Sequence, residues 1–208
     1  MKRWLLIAGG LLLALLVAAA CARATTPPVT VTASQGLGAK PIRTLAILPS
    51  ALAAGGSEAS SGARETVTEL VAQAASREGP WRIVEPESVA LLLRQSTPPR
   101  GQAARAAWVA EKLGADATLT AEVHRFRERV GSDYGASEPA SVGLTLLLVA
   151  AGADAPMWQA EYSFTQLPLS YNLWNVWGVL RGGPKWLTAG ELARIGIDEA
   201  VSRLVAVL

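Results

Sequence analysis

The sequence predicts an α/β (α+β) fold, a single mixed sheet with helices packed on it. Three observations predict it. Between residues 43 and 113, short apolar runs alternate with segments whose apolar residues recur at helical spacing. After Gly114 the period drops to two over three successive segments. The chain then closes on a helix announced by the capping box Thr188-Ala-Gly-Glu191.

Taken in order, Arg43-Thr-Leu-Ala-Ile-Leu-Pro49 is a short apolar run ended by proline, which suits a buried strand. Residues 53–62 form a Gly/Ser/Ala loop. From Ala63 to Arg77, Val67, Leu70, Val71 and Ala74 fall on one helical face, and Gly79-Pro80 breaks the helix. Trp81–Val84 is a second strand, and Pro86 suits the first position of a helix through Leu93. After Pro98-Pro99, a third helix runs from about Gln102 to Leu113, with Ala106, Val109, Ala110 and Leu113 in register and Gly114 as its stop. In Ala117–Phe126, Leu119, Ala121 and Val123 face one way and Thr118, Thr120, Glu122 and His124 the other, as in a strand with one wet face. The loop 131–139 follows. Val142–Ala150 is apolar on both faces and belongs at the sheet's centre, while Met157–Phe164 alternates with Trp158, Ala160, Tyr162 and Phe164 inward. The last helix, 188–208, buries Ile197, Ala200, Val201, Leu204, Val205 and Leu208.

In front of this body, Met1-Lys2-Arg3 precedes sixteen mostly apolar residues from Leu5 to Ala20, then Cys21. Residues 1–20 thus have the order of a secretory signal peptide, and the run falls short of the ~20 residues that span a bilayer. Ala19-Ala20-Cys21 resembles a bacterial lipobox, although Ala18 stands where leucine is commonest. The resemblance implies covalent acyl chains and diacylglycerol on Cys21, with no other cofactor and no metal. A plain cleaved signal or an uncleaved anchor are the other readings. Cys21 is the only cysteine, so no intramolecular disulfide can form. Residues 21–41 read as the lipidated N-terminus and a flexible tether, small, polar and Pro/Gly-bearing, and residues 42–208 as one domain. Ala22, where lipoproteins held in the inner membrane tend to carry aspartate, points to the outer membrane, facing the periplasm.

Removing the first 20 of 208 residues also removes Lys2 and Arg3, which account for the difference between 19 basic and 17 acidic side chains. A neutral body gives no electrostatic case for nucleic acid. The single histidine, His124, has no second histidine or available thiol to work with, and the acids are scattered. Gly55-Gly56 and Gly182-Gly183 lack the context of phosphate loops. No catalytic residue is expected.

Thr44-Leu-Ala-Ile-Leu-Pro49, Trp81-Arg-Ile-Val-Glu-Pro86, Lys112-Leu-Gly-Ala-Asp-Ala117 and Ser141–Val149 with Trp158 occur in an order that resembles the CsgG/LpoB/TolB-N-terminal-like group of bacterial envelope domains, over about residues 42–166. Two departures are Ala121, where that group usually has glycine, and Ala151–Pro156, in place of its Thr-Gly turn. The resemblance implies a periplasmic α/β domain that assembles with or regulates envelope machinery, without catalysis. The expected function is that of an accessory, scaffold or regulator in envelope assembly. Its partners would be the membrane through the anchor and a periplasmic or outer-membrane protein. The alternative is a subunit of an oligomeric CsgG-like secretion channel, against which the short, charged segment 125–139 counts.

Two stretches remain as candidate contacts. Arg125, Arg127 and Arg129 alternate at a strand end and form either a small basic ridge for a partner or a solvated end that discourages edge pairing. The insertion 167–187 holds Tyr171, Trp174, Trp177 and Trp186, with only Arg181 and Lys185 charged. It is either a cap with buried tryptophans, a docking surface, or a segment lying in the leaflet.

Overall fold

The computed structural model describes residues 29–38, 40–53, 58–59, 62–166 and 185–208. Its elements are β1 (Val29–Ala33), β2 (Thr44–Ile47), β3 (Ala51–Leu52), β4 (Glu58–Ala59), α1 (Ala63–Glu78), β5 (Arg82–Val84), α2 (Pro86–Gln95) and α3 (Gln102–Leu113). There follow β6 (Ala117–Arg127), β7 (Val130–Ser132), β8 (Gly135–Glu138), β9 (Ser141–Ala150), β10 (Trp158–Thr165) and α4 (Ala189–Val207). The helices and main strands fall where the periodicity places them.

The main sheet has the order β1-β10-β9-β6-β2-β5. It is mixed as expected: β2 runs parallel to β5 and β6, whereas β6, β9, β10 and β1 are antiparallel in succession. The parallel pairs follow from the helical crossovers of α1, α2 and α3. Asp116 fixes the start of this part, its Oδ2 accepting from the backbone N–H groups of Arg43 and Thr44 at 2.8 Å each. Those two bonds hold its carboxyl below the usual carboxylate range.

Helices α1 and α4 pack together on one face of the sheet, where Leu119, Leu144, Leu146, Leu148, Trp158 and Tyr162 are buried. Tyr162 lies against the backbone of α4: a Cβ at Gly196 would come within 2.3 Å of its ring. Burial pushes the Tyr162 phenol well above its ordinary value. On the other face α2 and α3 build a second core from Ala46, Leu48, Val89, Ala106, Val109, Ala110 and Val149. Helix α1 ends as Gly79-Pro80 suggests. Trp81 folds back to donate from Nε1 to the Ala75 carbonyl at 2.9 Å, and its ring fills the space a Cβ on Gly79 would need.

Of the face expected to be buried on the last helix, Leu208 at its end is exposed, and four expectations about the sheet and its loops need correction. The tether contains a strand, β1, since Val29-Thr-Val-Thr-Ala33 pairs in register with Tyr162 to Trp158. Val29 is buried and its carbonyl accepts from Arg203 of α4 at 2.7 Å. Second, the face of β6 read as wet is dry at Thr118 and Thr120, because α3 covers it. Thr118 Oγ1 donates to the Ala106 carbonyl at 2.9 Å, and Gln102 Nε2 donates to Thr120 Oγ1 at 2.7 Å. Both hydroxyls are satisfied, so both can be buried. Third, the loop 131–139 is largely a hairpin, β7–β8, turning at Asp133-Tyr134. Gly131, at φ +122°, makes it possible, since a Cβ there would meet the Gly135 carbonyl. Fourth, Glu58–Ala59, inside the 53–62 loop, pairs with β6.

Candidate partner interface

Strand β6 carries Arg125 and Arg127 in its last third, and Arg129 lies just past its end. Between Val123 and Arg125 the pairing with β9 slips, leaving His124 unpaired. Val123 and Phe126 are both buried, three residues apart instead of two, so a bulge interrupts the alternation. His124 is exposed, and its Nε2 is hydrogen-bonded to Thr145 Oγ1 at 2.7 Å.

The arginines do not line up as a ridge. Arg125 lies across the sheet: Nε donates to Ser141 Oγ at 2.6 Å, and Nη2 donates to Ser163 Oγ at 3.0 Å and the Val142 carbonyl at 3.4 Å. Ser141 is bonded in turn to Thr165 at 2.5 Å. One guanidinium thereby ties β6 to β9 and β10. Arg127 is exposed and makes no hydrogen bond or ion pair to a described residue. Arg129 turns toward the hairpin and pairs with Asp133, with its side chain only 15% exposed.

Trp186 is the member of the aromatic set that falls within the described residues; Tyr171, Trp174 and Trp177 lie outside them, as does Cys21. Trp186 is partly buried, and its backbone N–H donates to the Asp133 carbonyl at 2.7 Å. Asp133 therefore takes Arg129 on its side chain and Trp186 on its backbone. One residue on, the Leu187 N–H donates to the side-chain oxygen of buried Gln166 at 2.7 Å. Gln166, just before the Trp-rich insertion, and Leu187, its last residue, are thus fastened to each other. The capping box follows directly: Glu191 N–H donates to Thr188 Oγ1 at 3.1 Å, and Thr188 N–H to Glu191 Oε2 at 2.9 Å. Glu128, just past β6, accepts from the Ala189 N–H at 3.0 Å.

Sequence reasoning missed Asp133, Gln166 and Glu128. Each works through a backbone partner far along the chain, which leaves no periodic mark. It also missed Tyr134, 85% exposed at the hairpin turn, near Val130 at 53%. Exposed aromatic and aliphatic groups on a pinned turn have the character of a contact surface. Among the described residues no helix is long and apolar enough to cross a membrane.

With the fold in view, the solved structures it resembles can be compared. PelC from Paraburkholderia phytofirmans, solved as a dodecamer, superposes with a TM-score of 0.53 at 16% identity. The match covers 85% of this chain and 98% of PelC. The two chains share a fold. A second crystal form of the PelC dodecamer gives a TM-score of 0.51 over 96% of that chain. The C-terminal domain of LpoB from Salmonella enterica is a looser likeness, at 0.42 and 15% identity over 62% of this chain and 87% of that one. No protein-family model matches the sequence, and no curated protein matches it.

Proposed function

We propose that this protein is a non-catalytic, lipid-anchored scaffold of the bacterial envelope that works as an assembly of its own copies. The observation that carries the reading is the fold shared with PelC across nearly all of that chain, a protein solved as a dodecamer. The N-terminal Ala19-Ala20-Cys21 supplies the second half of the reading: acyl chains on Cys21 hold each copy at the periplasmic side of the outer membrane. Each buried methylene adds ~0.8 kcal/mol, so two or more chains anchor stably where one is marginal. Envelope assembly is then the setting, with a periplasmic or outer-membrane protein docking at the hairpin end of the body.

The second reading, a CsgG-like secretion channel, needs strands of ~9–11 residues facing lipid. The β7–β8 hairpin has strands of three and four residues, so it does not supply them.

Two measurements test the proposal. Labelling with a radiolabelled fatty acid, beside Cys21→Ala and followed by membrane fractionation, should show acylated wild type in the outer membrane and an unlabelled variant. Light scattering on the full chain in detergent should return a closed oligomer. A monomer at micromolar concentration would sink the assembly reading, and unlabelled soluble wild type would sink the anchor.

A further inference from the structure

A cleft of about 800 Å³ opens between α1 and α2, at the carboxyl ends of β2 and β5. The topology explains why it is there. Chain leaving β2 goes on through β3 and β4 to α1 on one face of the sheet, while chain leaving β5 enters α2 on the other. The two departures part at Pro49-Ser50 and Glu85-Pro86, and all four residues line the cleft. In open α/β sheets such divergence points are where ligands bind.

The floor is small and partly apolar. Ala72 of α1 and Ala90 of α2 both line it, together with the buried Thr68 and Ser50. Ser50 is buried, its hydroxyl oxygen closed off from solvent and without a hydrogen-bond partner among the described residues, and its backbone N–H donates to Thr68 Oγ1 at 2.8 Å. The rim is acidic: Glu65, Glu69, Glu85 and Glu87 stand against Arg64 and Arg94, and Arg64 is already paired with Glu65. The cleft is also long. Its α1 wall runs from Arg64 to Ser76, ~18 Å at ~1.5 Å per residue, which matches about five residues of extended chain.

From these features we infer that the cleft binds a short extended peptide segment bearing lysine or arginine, supplied by a protein partner. Small side chains of the peptide lie over Ala72 and Ala90, and its basic side chains reach the glutamates of the rim. This names the chemistry of one partner for the scaffold proposed above, but it does not depend on anchoring or assembly, which the labelling and scattering measurements address separately.

The test is fluorescence anisotropy on the full chain in detergent at low ionic strength, with a labelled, end-blocked Ala-Lys-Ala-Lys-Ala peptide and its Ala-Glu-Ala-Glu-Ala counterpart as probes. The lysine peptide should bind and the glutamate peptide should not. The pair Glu69→Lys with Glu87→Lys should weaken binding by about tenfold or more, whereas Glu138→Lys with Glu161→Lys, the same charge change away from the cleft, should leave it within about twofold. Ala90→Leu fills the floor without changing charge and should abolish binding, with thermal unfolding monitored to show that each variant is folded. Equal binding of both peptides, equal loss from both lysine pairs, no binding of the lysine peptide, or unchanged binding by folded Ala90→Leu would each overturn the inference.

Discussion

From Ala117 to Ala121 the central strand β6 is buried on both faces; from Glu122 to Arg127 it is covered by helices on one face only. The same strand thus has two solvation regimes. In the covered half, threonines occupy the second face and bond to α3. In the open half, that face carries Glu122, His124 and Arg125, and the last two bond sideways to hydroxyls of β9 and β10. The difference teaches that alternation locates the two faces of a strand but not what lies over them. Residue type separates the cases: a threonine hydroxyl can be satisfied by one helix carbonyl, while a guanidinium or carboxylate demands several partners or water.

The covered half can be stressed most severely at Gly196. There α4 approaches the sheet so closely that Gly196→Ala puts a methyl group within 2.3 Å of the Tyr162 ring. That ring cannot withdraw, being fully buried and stacked at 6.4 Å on Phe164. Overpacking at a rigid site should cost ~3 kcal/mol, read as a lower midpoint in urea unfolding. A loss under about 0.5 kcal/mol would mean that α4 is not seated on the sheet as described.

A matched pair of isosteric changes sharpens the contrast between the halves. Thr118→Val removes a buried hydrogen bond to the Ala106 carbonyl and should cost ~1 kcal/mol. Thr145→Val removes a bond to His124, which is exposed and can turn to water, so its cost should stay below ~0.5 kcal/mol. Equal losses would erase the distinction between the halves.

This contrast also shows what could be read from the sequence. Helices α1, α3 and α4 and strands β9 and β10 were legible because burial imposes a period, and the capping box at Thr188 marks a start that the structure reproduces bond for bond. Strand β1 was not: its alternation is clear, but its partner Tyr162 lies more than a hundred residues away and its composition is that of a linker. Of the candidate interface, the arginines and Trp186 could be picked out by residue type. Their arrangement could not, because the bulge at His124 breaks the period that a ridge requires, and Asp133 and Gln166 act on backbone groups that any residue carries.

Arg125→Ala tests the open half directly. The side chain is partly exposed and its three acceptors can bond to water when it is removed, so global stability should fall by only about 0.5 kcal/mol. Amide exchange should nonetheless quicken along β9 from Ser141 to Gly143 and at Ser163, where the guanidinium bridges strands, and remain unchanged in Leu146–Val149 beneath the helices. Faster exchange in both stretches would show the two halves opening as one unit.

The smallest effect is expected where the covered half begins. Asp116 is exposed, yet its carboxylate accepts two backbone N–H groups that fasten β2 beside β6, and its pKa is lowered as a result. A carboxyl whose folded pKa lies below its unfolded value stabilises the fold fully above about pH 4, and loses that contribution as the pH falls through the folded value. Asp116→Asn keeps an oxygen acceptor and removes the charge, so at pH 7 it should cost only a few tenths of a kcal/mol in this exposed setting. The difference between wild type and variant should shrink steadily on acidification and be gone once the carboxyl is protonated in both states. Threonines do not titrate, so the covered half of β6 has no acid response of its own. A difference that widened toward acid would therefore overturn the assignment of the charged carboxylate as the group joining β2 to β6.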